Sequence, residues 1–244
     1  MAQPGATMNY LLDNTLAPLT FNWGFLEAPV DAVDSAYRRW QRMILHSVKV
    51  ARIDLPLADA LRQLEPLDNG SQRVLFLSTK APWTACFDNG VRGGNPSTFV
   101  GELAMRMRCR GVACGCIPNT LTRRDAGKPG TWGAVKFTLF APEKRDFLNV
   151  ERSVSVMNDV RGWEFNSIGT VQDFEQVERY AARKIADRFT PEMLEAYGRA
   201  LGINLFDEDF YGGDGSITHA CPWFLPKLAT TTLAQARKQL GLSD

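Results

Sequence analysis

The stretch Val74–Cys116, VLFLSTKAPWTACFDNGVRGGNPSTFVGELAMRMRCRGVACGC, decides the fold of this chain. Val74–Leu77 is a short apolar run of strand formers, and Trp83–Phe87 alternates bulky and small residues with a period of two. A polar, Gly-rich turn follows, and then a helical segment with apolar residues on one face. Arg110–Ile117 has the composition of an interior strand. The stretch therefore predicts the order strand, strand, turn, helix, strand.

The Gly-rich turn at residues 89–98 leads into the predicted helix and contains Arg92. Backbone N–H groups at a helix N-terminus attract anions, so a phosphate or nucleotide site is one hypothesis for this turn. Its spacing matches neither the Walker pattern nor the dinucleotide pattern of three spaced glycines. Glycine that lets the chain reverse direction explains the turn without a ligand. We favour that explanation and keep the anion site as an alternative.

Segments on both sides of this stretch complete the secondary structure. Alternation of apolar and polar side chains predicts antiparallel strands at Trp132–Ala141, Phe147–Asn158 and Gly162–Ile168. Helical periodicity predicts helices within Val30–Val50, Pro56–Leu64 and Asp173–Leu201, the last with a start signal at Thr190-Pro191.

Together these elements predict a single α+β domain over residues 1–244. It contains a mainly antiparallel sheet of about five or six strands, flanked by helices from the N-terminal and C-terminal parts of the chain. Residues 1–30 are interrupted by prolines but hold too many large apolar side chains for a free tail. We expect them to form an irregular arm that packs across the body of the domain.

The composition excludes several classes of protein. Of the 244 residues, 45% are hydrophobic and 23% charged, and the formal net charge of +1 creates no general attraction to nucleic acid or to an anionic membrane. No apolar run approaches the roughly 18 residues that a membrane helix needs. The N-terminus lacks the basic start and apolar core of a secretion signal. We expect a cytoplasmic protein that binds neither membranes nor nucleic acid.

The five cysteines indicate reduced thiols, because an odd number without a secretion signal argues against a disulfide framework. Cys109, Cys114 and Cys116 crowd together and raise the question of a metal site. Zinc sites usually combine two separated pairs of ligands, whereas this chain has one close cluster. Cysteine also serves as a small buried apolar residue. We therefore expect no metal and no cofactor.

Three polar loops are candidate contact surfaces: residues 88–96, 119–130 and 204–218. The second is basic, and the third is acidic with aromatic neighbours, a combination found in interfaces. An exposed acidic loop anchored by its own aromatic side chains is the alternative for residues 204–218. The candidate partner-binding residues in these loops are Arg92, Arg123, Arg124, Asp207, Asp209, Phe210 and Tyr211.

An enzyme is the second class of function that the residues allow. Nucleophilic catalysis needs a base beside the nucleophile, and His219 and Cys221, two positions apart, face the same way in an extended segment. Such a small-molecule enzyme would use this pair together with the acidic loop. No cysteine-enzyme signature surrounds the pair, however.

Two segments, WTACFDNGVRGG at residues 83–94 and RFTPEMLEAYGRALGINLFDEDFY at residues 188–211, resemble segments of uncharacterised bacterial proteins found among polymorphic-toxin immunity proteins. They cover well under a third of the chain. The resemblance implies a cytoplasmic, single-chain α+β protein that binds a cognate toxin and occludes its active site. A protein-binding module is therefore the leading prediction.

Overall fold

The computed structural model describes residues 10–70, 72–125, 127–143, 149–222 and 228–242. Its strands are β1 (Asn22–Leu26), β2 (His46–Asp54), β3 (Leu67–Asp68), β4 (Arg73–Thr79), β5 (Thr84–Asp88), β6 (Gly111–Ile117), β7 (Ala134–Phe140), β8 (Val150–Asp159), β9 (Gly162–Gly169), β10 (Tyr211–Pro222) and β11 (Thr230–Thr231). Its α-helices are α1 (Val30–Met43), α2 (Leu57–Arg62), α3 (Ser97–Met107), α4 (Pro191–Ala200) and α5 (Leu233–Gln239).

One large antiparallel sheet dominates the described residues. It has nine strands in the order β2-β10-β4-β5-β1-β6-β7-β8-β9, and each neighbouring pair is antiparallel. Strands β3 and β11 form a separate two-stranded sheet. The predicted α+β class with a mainly antiparallel sheet is confirmed. The predicted number of about five or six strands is too low.

The three strands of the large sheet missing from the prediction are β1, β2 and β10. Strand β1 lies in the segment expected to be irregular, and β10 begins with Gly and Asp residues that are typical of turns. Strand β2 begins inside the predicted helix Val30–Val50, but α1 ends at Met43, and Leu45 has a positive φ of 62°. The chain therefore reverses after α1 and returns as a strand.

Only the last part of Asp173–Leu201 is an α-helix. Helix α4 starts as predicted, with Thr190 Oγ1 accepting a hydrogen bond from Met193 N and Pro191 in the first turn. The preceding residues form short 3₁₀ turns at Val177–Ala181 and Ile185–Asp187. Tertiary contacts there override the local helical periodicity.

The sheet is the middle of three layers, because alternate residues of its strands face opposite sides. In β4, Leu75 and Leu77 belong to one buried cluster and Val74 and Phe76 to the other. The first face is covered by residues from the N-terminal segment, α2, α4 and α5, and the second by α1 and α3.

Residues 10–30 contribute directly to this core. Leu11, Leu19 and Phe21 are buried, and β1 lies between β5 and β6 in the sheet. The first nine residues of the expected arm lie outside the described part of the chain.

Candidate partner-binding surface

The Gly-rich turn is built around the side chain of Asp88, the last residue of β5. One carboxylate oxygen accepts a hydrogen bond from Gly90 N at 2.9 Å, and the other accepts one from Asn95 N at 3.1 Å. Gly94 has a φ of +59°, and a Cβ there would lie 1.8 Å from Asp88 Oδ1. Because the protein's own carboxylate occupies these N–H groups and repels other anions, the turn geometry gives no support to the anion-site hypothesis.

The same turn is hydrogen-bonded to the first residue of β1. Asn22 Nδ2 donates to Gly93 O at 2.8 Å. A Cβ on Gly93 would lie 2.6 Å from the Cβ of Phe21, so the turn and the start of β1 are in close contact. Arg92 lies within this anchored turn and lines a cleft beside it.

The cleft, which we call the basic cleft, has a volume of about 570 Å³ and lies where β5 and β6 end, beside the end of α5. Apolar and aromatic side chains supply much of its lining, and two cationic side chains border it. These residues are Phe21, Ile117, Leu121, Trp132 and Leu240, with Arg92 and Lys128. An aromatic and apolar depression bordered by charge is typical of sites that bind a protein segment.

The loop between β6 and β7 forms the other wall of the basic cleft. Its base is closed by Thr131, whose carbonyl accepts hydrogen bonds from Thr120 N at 3.0 Å and Leu121 N at 3.2 Å. Thr131 N in turn donates to Thr120 Oγ1 at 2.8 Å. These bonds shape the loop without a ligand.

The tip of this loop carries the predicted basic residues. Lys128 Nζ donates to Asp125 Oδ1 at 2.8 Å, and hydrogen bonds from Lys128 and Thr122 lower the pKa of Asp125 to about 2. Arg123 and Arg124 are exposed and form no ion pair with any residue that the structure describes. Both lie on the turn between Leu121 and Lys128, outside the lining of the cleft. The structure therefore brings Arg92 and Lys128 to one cleft, with Arg123 and Arg124 on the loop that forms its wall.

The acidic segment lies at the other end of the sheet. Lys80 N donates to Phe210 O at 2.9 Å, and Lys80 precedes β5, whereas Arg92 follows it. Asp207 and Asp209 are exposed there. The three predicted contact loops therefore do not form one surface.

The two aromatic residues of this segment are core residues. Phe210 and Tyr211 are 3% and 6% exposed, and the Tyr211 hydroxyl donates to Leu205 O at 2.7 Å. Their rings offer no surface to a partner. The segment therefore matches the alternative prediction for residues 204–218: an exposed acidic loop that its own aromatic side chains anchor to the core.

His219 and Cys221 lie on the same face of β10, as expected from their spacing. The nearby charged groups of His219 include Arg73 and Lys49, its cross-strand neighbours; burial and these two cations lower the pKa of His219. The acidic loop does not join the pair, because Asp214 stands at the opposite end of β10 from Cys221.

The cysteine cluster does not form a metal site among the described residues, where no group of three His, Cys, Asp or Glu side chains is placed to hold an ion. Cys114 and Cys116 are buried on β6, and Cys114 Sγ donates to Trp23 O at 3.5 Å. Burial raises the pKa of the Cys114 thiol well above its usual value and that of Cys116 to about 12. The two thiols are small apolar members of the core.

A second cavity, of about 450 Å³, lies between α1 and α3 and was not predicted. Its lining includes Tyr37, His46, Asp88 and Phe99. His46 Nδ1 lies 2.5 Å from Gln41 Oε1, and burial lowers the pKa of His46. Asp88 already holds the Gly-rich turn, so both polar groups have hydrogen-bond partners inside the protein.

The prediction also missed an exposed apolar corner where α1 meets β2. Met43, Ile44 and Leu45 are 66%, 44% and 60% exposed, and Val50 on β2 is 38% exposed. The sequence does contain a signal for this corner, the run of three large apolar residues at 43–45. Three consecutive residues cannot all face one side of a helix, so at least one of them had to be exposed or lie outside the helix. Exposed apolar groups that lie together mark interaction surfaces.

Comparisons with family models, curated proteins and solved structures gave no match. Among the described helices, none combines the length and apolar character that crossing a membrane requires.

Proposed function

We propose that this protein is a protein-binding module that holds an acidic segment of a partner protein in the basic cleft. The observation that carries the proposal is the meeting of Arg92 and the basic loop around an apolar depression. The finer proposal, that the partner is a toxin whose active site is occluded, rests on the resemblance of residues 83–94 and 188–211 to immunity proteins.

The charges around the cleft favour a negatively charged partner. Arg92 lines the cleft, and Arg123 and Arg124 lie on the loop that forms its wall. None of the three forms an ion pair with another described residue, so their charges remain available. Guanidinium groups bind carboxylates with two parallel hydrogen bonds, which fixes the orientation of an acidic side chain. The apolar lining would hold an aromatic or aliphatic side chain next to that acid.

The shape of the cleft also favours a protein segment. Both walls are anchored by hydrogen bonds within the chain, one by Asp88 and Asn22 and the other by Thr131. A preformed site loses little conformational entropy on binding. A partner would therefore meet a rigid surface.

The test is co-expression of this chain with the product of the adjacent gene, followed by isothermal titration of the purified pair. Arg92→Glu and the double substitution Arg123→Glu with Arg124→Glu should weaken binding at least about tenfold, since opposed like charges cost more than the roughly 1.4 kcal/mol that a factor of ten represents. The association rate of the native pair should fall as salt is raised.

The matched control removes charge at the other end of the sheet. Asp207→Asn with Asp209→Asn leaves the basic cleft unchanged and should leave the affinity unchanged. If the neighbouring product does not bind, the toxin proposal fails. If it binds and only the control changes the affinity, the basic cleft is not the contact surface.

A further inference from the structure

Strand β2 is an outermost strand of the large sheet. It pairs with β10 over nine consecutive positions, from His46 opposite Pro222 to Asp54 opposite Asp214, without a bulge. No other described strand pairs with it. An outermost strand presents unpaired N–H and C=O groups along its free side.

The residues that carry these free groups can be identified. Leu55 N donates to Gly213 O at 3.0 Å, one step beyond the last strand pair. In an antiparallel pair every second residue bonds to its neighbour, so the odd-numbered residues of β2 bond to β10. The backbone groups of Val48, Val50 and Arg52 therefore point away from the sheet.

The charged residues Lys49, Arg52 and Asp54 are a feature of this edge that disfavours pairing with another strand. The edge has no proline and no bulge, however, and Val48, Val50 and Ile53 favour strand structure. Val50 is 38% exposed, and the apolar corner Met43–Leu45 directly precedes the strand. The edge and the corner together expose both apolar side chains and unpaired backbone groups.

The strand is also complementary to itself. Val50 is its middle residue, so a two-fold axis through Val50 pairs all nine residues of one copy with those of another. In that register the outward-facing residues meet, as hydrogen bonding requires: Val50 faces Val50, Val48 faces Arg52, and His46 faces Asp54. Shifting the axis to Lys49 would place two lysines directly opposite each other.

We propose that two copies of this chain associate through β2, joining their sheets across a two-fold axis at Val50. The seam pairs the free backbone groups of both copies. It places one apolar corner, Met43–Leu45, at each end of the seam.

The opposite edge of the sheet, β9, is the natural competitor. It begins and ends with glycine, and Asn166 and Ser167 in its centre have low strand propensity. Thr170 N donates to Glu151 O, so even-numbered residues bond to β8 and the backbone of Ser167 points outward. Ser167 is therefore a matched control for Val50.

The experiment measures molar mass by light scattering and sedimentation over a range of protein concentrations. The native chain should have twice the mass of one copy. Val50→Pro removes an outward N–H without breaking a bond to β10, and Val50→Lys places two charges at the axis. Both should halve the mass, whereas Ser167→Pro should not change it.

Near-UV circular dichroism and thermal unfolding of each variant establish that it is folded, and Val50→Lys keeps the test valid if the proline variant does not fold. A native chain that is monomeric at every concentration overturns the proposal. So does a dimer that survives Val50→Lys, or one that only Ser167→Pro dissociates, since the seam would then lie elsewhere.

Discussion

The guanidinium of Arg152 and the carboxylate of Glu175 are joined inside the protein by two hydrogen bonds of 2.7 Å each. The side chains are 2% and 0% exposed. The Tyr180 hydroxyl donates to the same carboxylate at 2.7 Å, and Gln172 N donates to it at 2.8 Å. Because Arg152 lies on β8, this network fastens the segment after β9 to the sheet.

Glu175→Gln should therefore be among the most destabilising single substitutions. It leaves the buried guanidinium of Arg152 without its counter-charge, which typically costs about 3–5 kcal/mol. Urea unfolding followed by circular dichroism measures the loss. The control is Glu195→Gln, which breaks the ion pair with the largely exposed Arg199 and should change stability by less than about 1 kcal/mol. Equal losses would show that the buried network has no special role.

Alkaline pH should unfold the protein through its tyrosines. Burial raises the pKa of every one of the five: Tyr10 (to about 12), Tyr37, Tyr180, Tyr197 and Tyr211. A raised folded-state pKa stabilises the protein below the ordinary value of 10 and ceases to do so as pH rises through the folded value.

Phenolate absorbance during a pH titration gives the measurement. The folded chain should show little ionisation near pH 10, and the phenolate signal should then rise together with the loss of circular dichroism. Five independent titrations near pH 10 in a folded protein would contradict this expectation.

Gly94→Ala should be much more destabilising than Gly202→Ala. Both glycines have a positive φ, +59° and +76°, so both substitutions cost about 1–2 kcal/mol of backbone strain. At Gly94 the new Cβ would also collide with Asp88 Oδ1, whereas at Gly202 nothing lies within 4 Å. Chemical denaturation compares the two variants. Similar losses would mean that the Gly-rich turn is not built around Asp88.

Thiol labelling should divide the cysteines into two groups. Cys86, Cys114 and Cys116 are buried, and burial raises their pKa values, so they should react only after unfolding. Cys221 is partly exposed and should react in the folded protein, ahead of Cys109, whose pKa burial raises to about 11. Mass spectrometry of the labelled peptides gives the order. Rapid labelling of Cys114 would contradict the structure.

The sequence pattern identified six strands of the large sheet but not β1, β2 and β10. Strands β4 to β9 are apolar or alternate strongly, so their pattern identifies them. Strand β2 is exposed on most of its residues and follows a helix whose periodicity conceals where it ends. Strand β10 contains three glycines in its first half, and at Gly215 its backbone lies close to β4: a Cβ there would lie 2.2 Å from Phe76 O. Local pattern cannot distinguish such a contact from a turn.

For the candidate surface, the sequence supplies the charged residues but not their positions relative to one another. Arg92 and the loop with Arg123 and Arg124 were chosen for their charge, and the strand order brings them together because β5 and β6 end on the same side of the sheet. Phe210 and Tyr211 have the same composition signal as interface anchors, but their burial depends on contacts with distant parts of the core. Composition alone does not distinguish an aromatic residue that anchors an interface from one that is buried in the protein's own core.

The position of β10 between β2 and β4 has a consequence for how the chain is made. During synthesis, β2 is made well before β10, so its neighbour in the sheet is complete only when translation has passed residue 222. Until then β2 has no strand linking it to β4, and a nascent chain interrupted earlier would carry two strands without their shared neighbour, which favours aggregation.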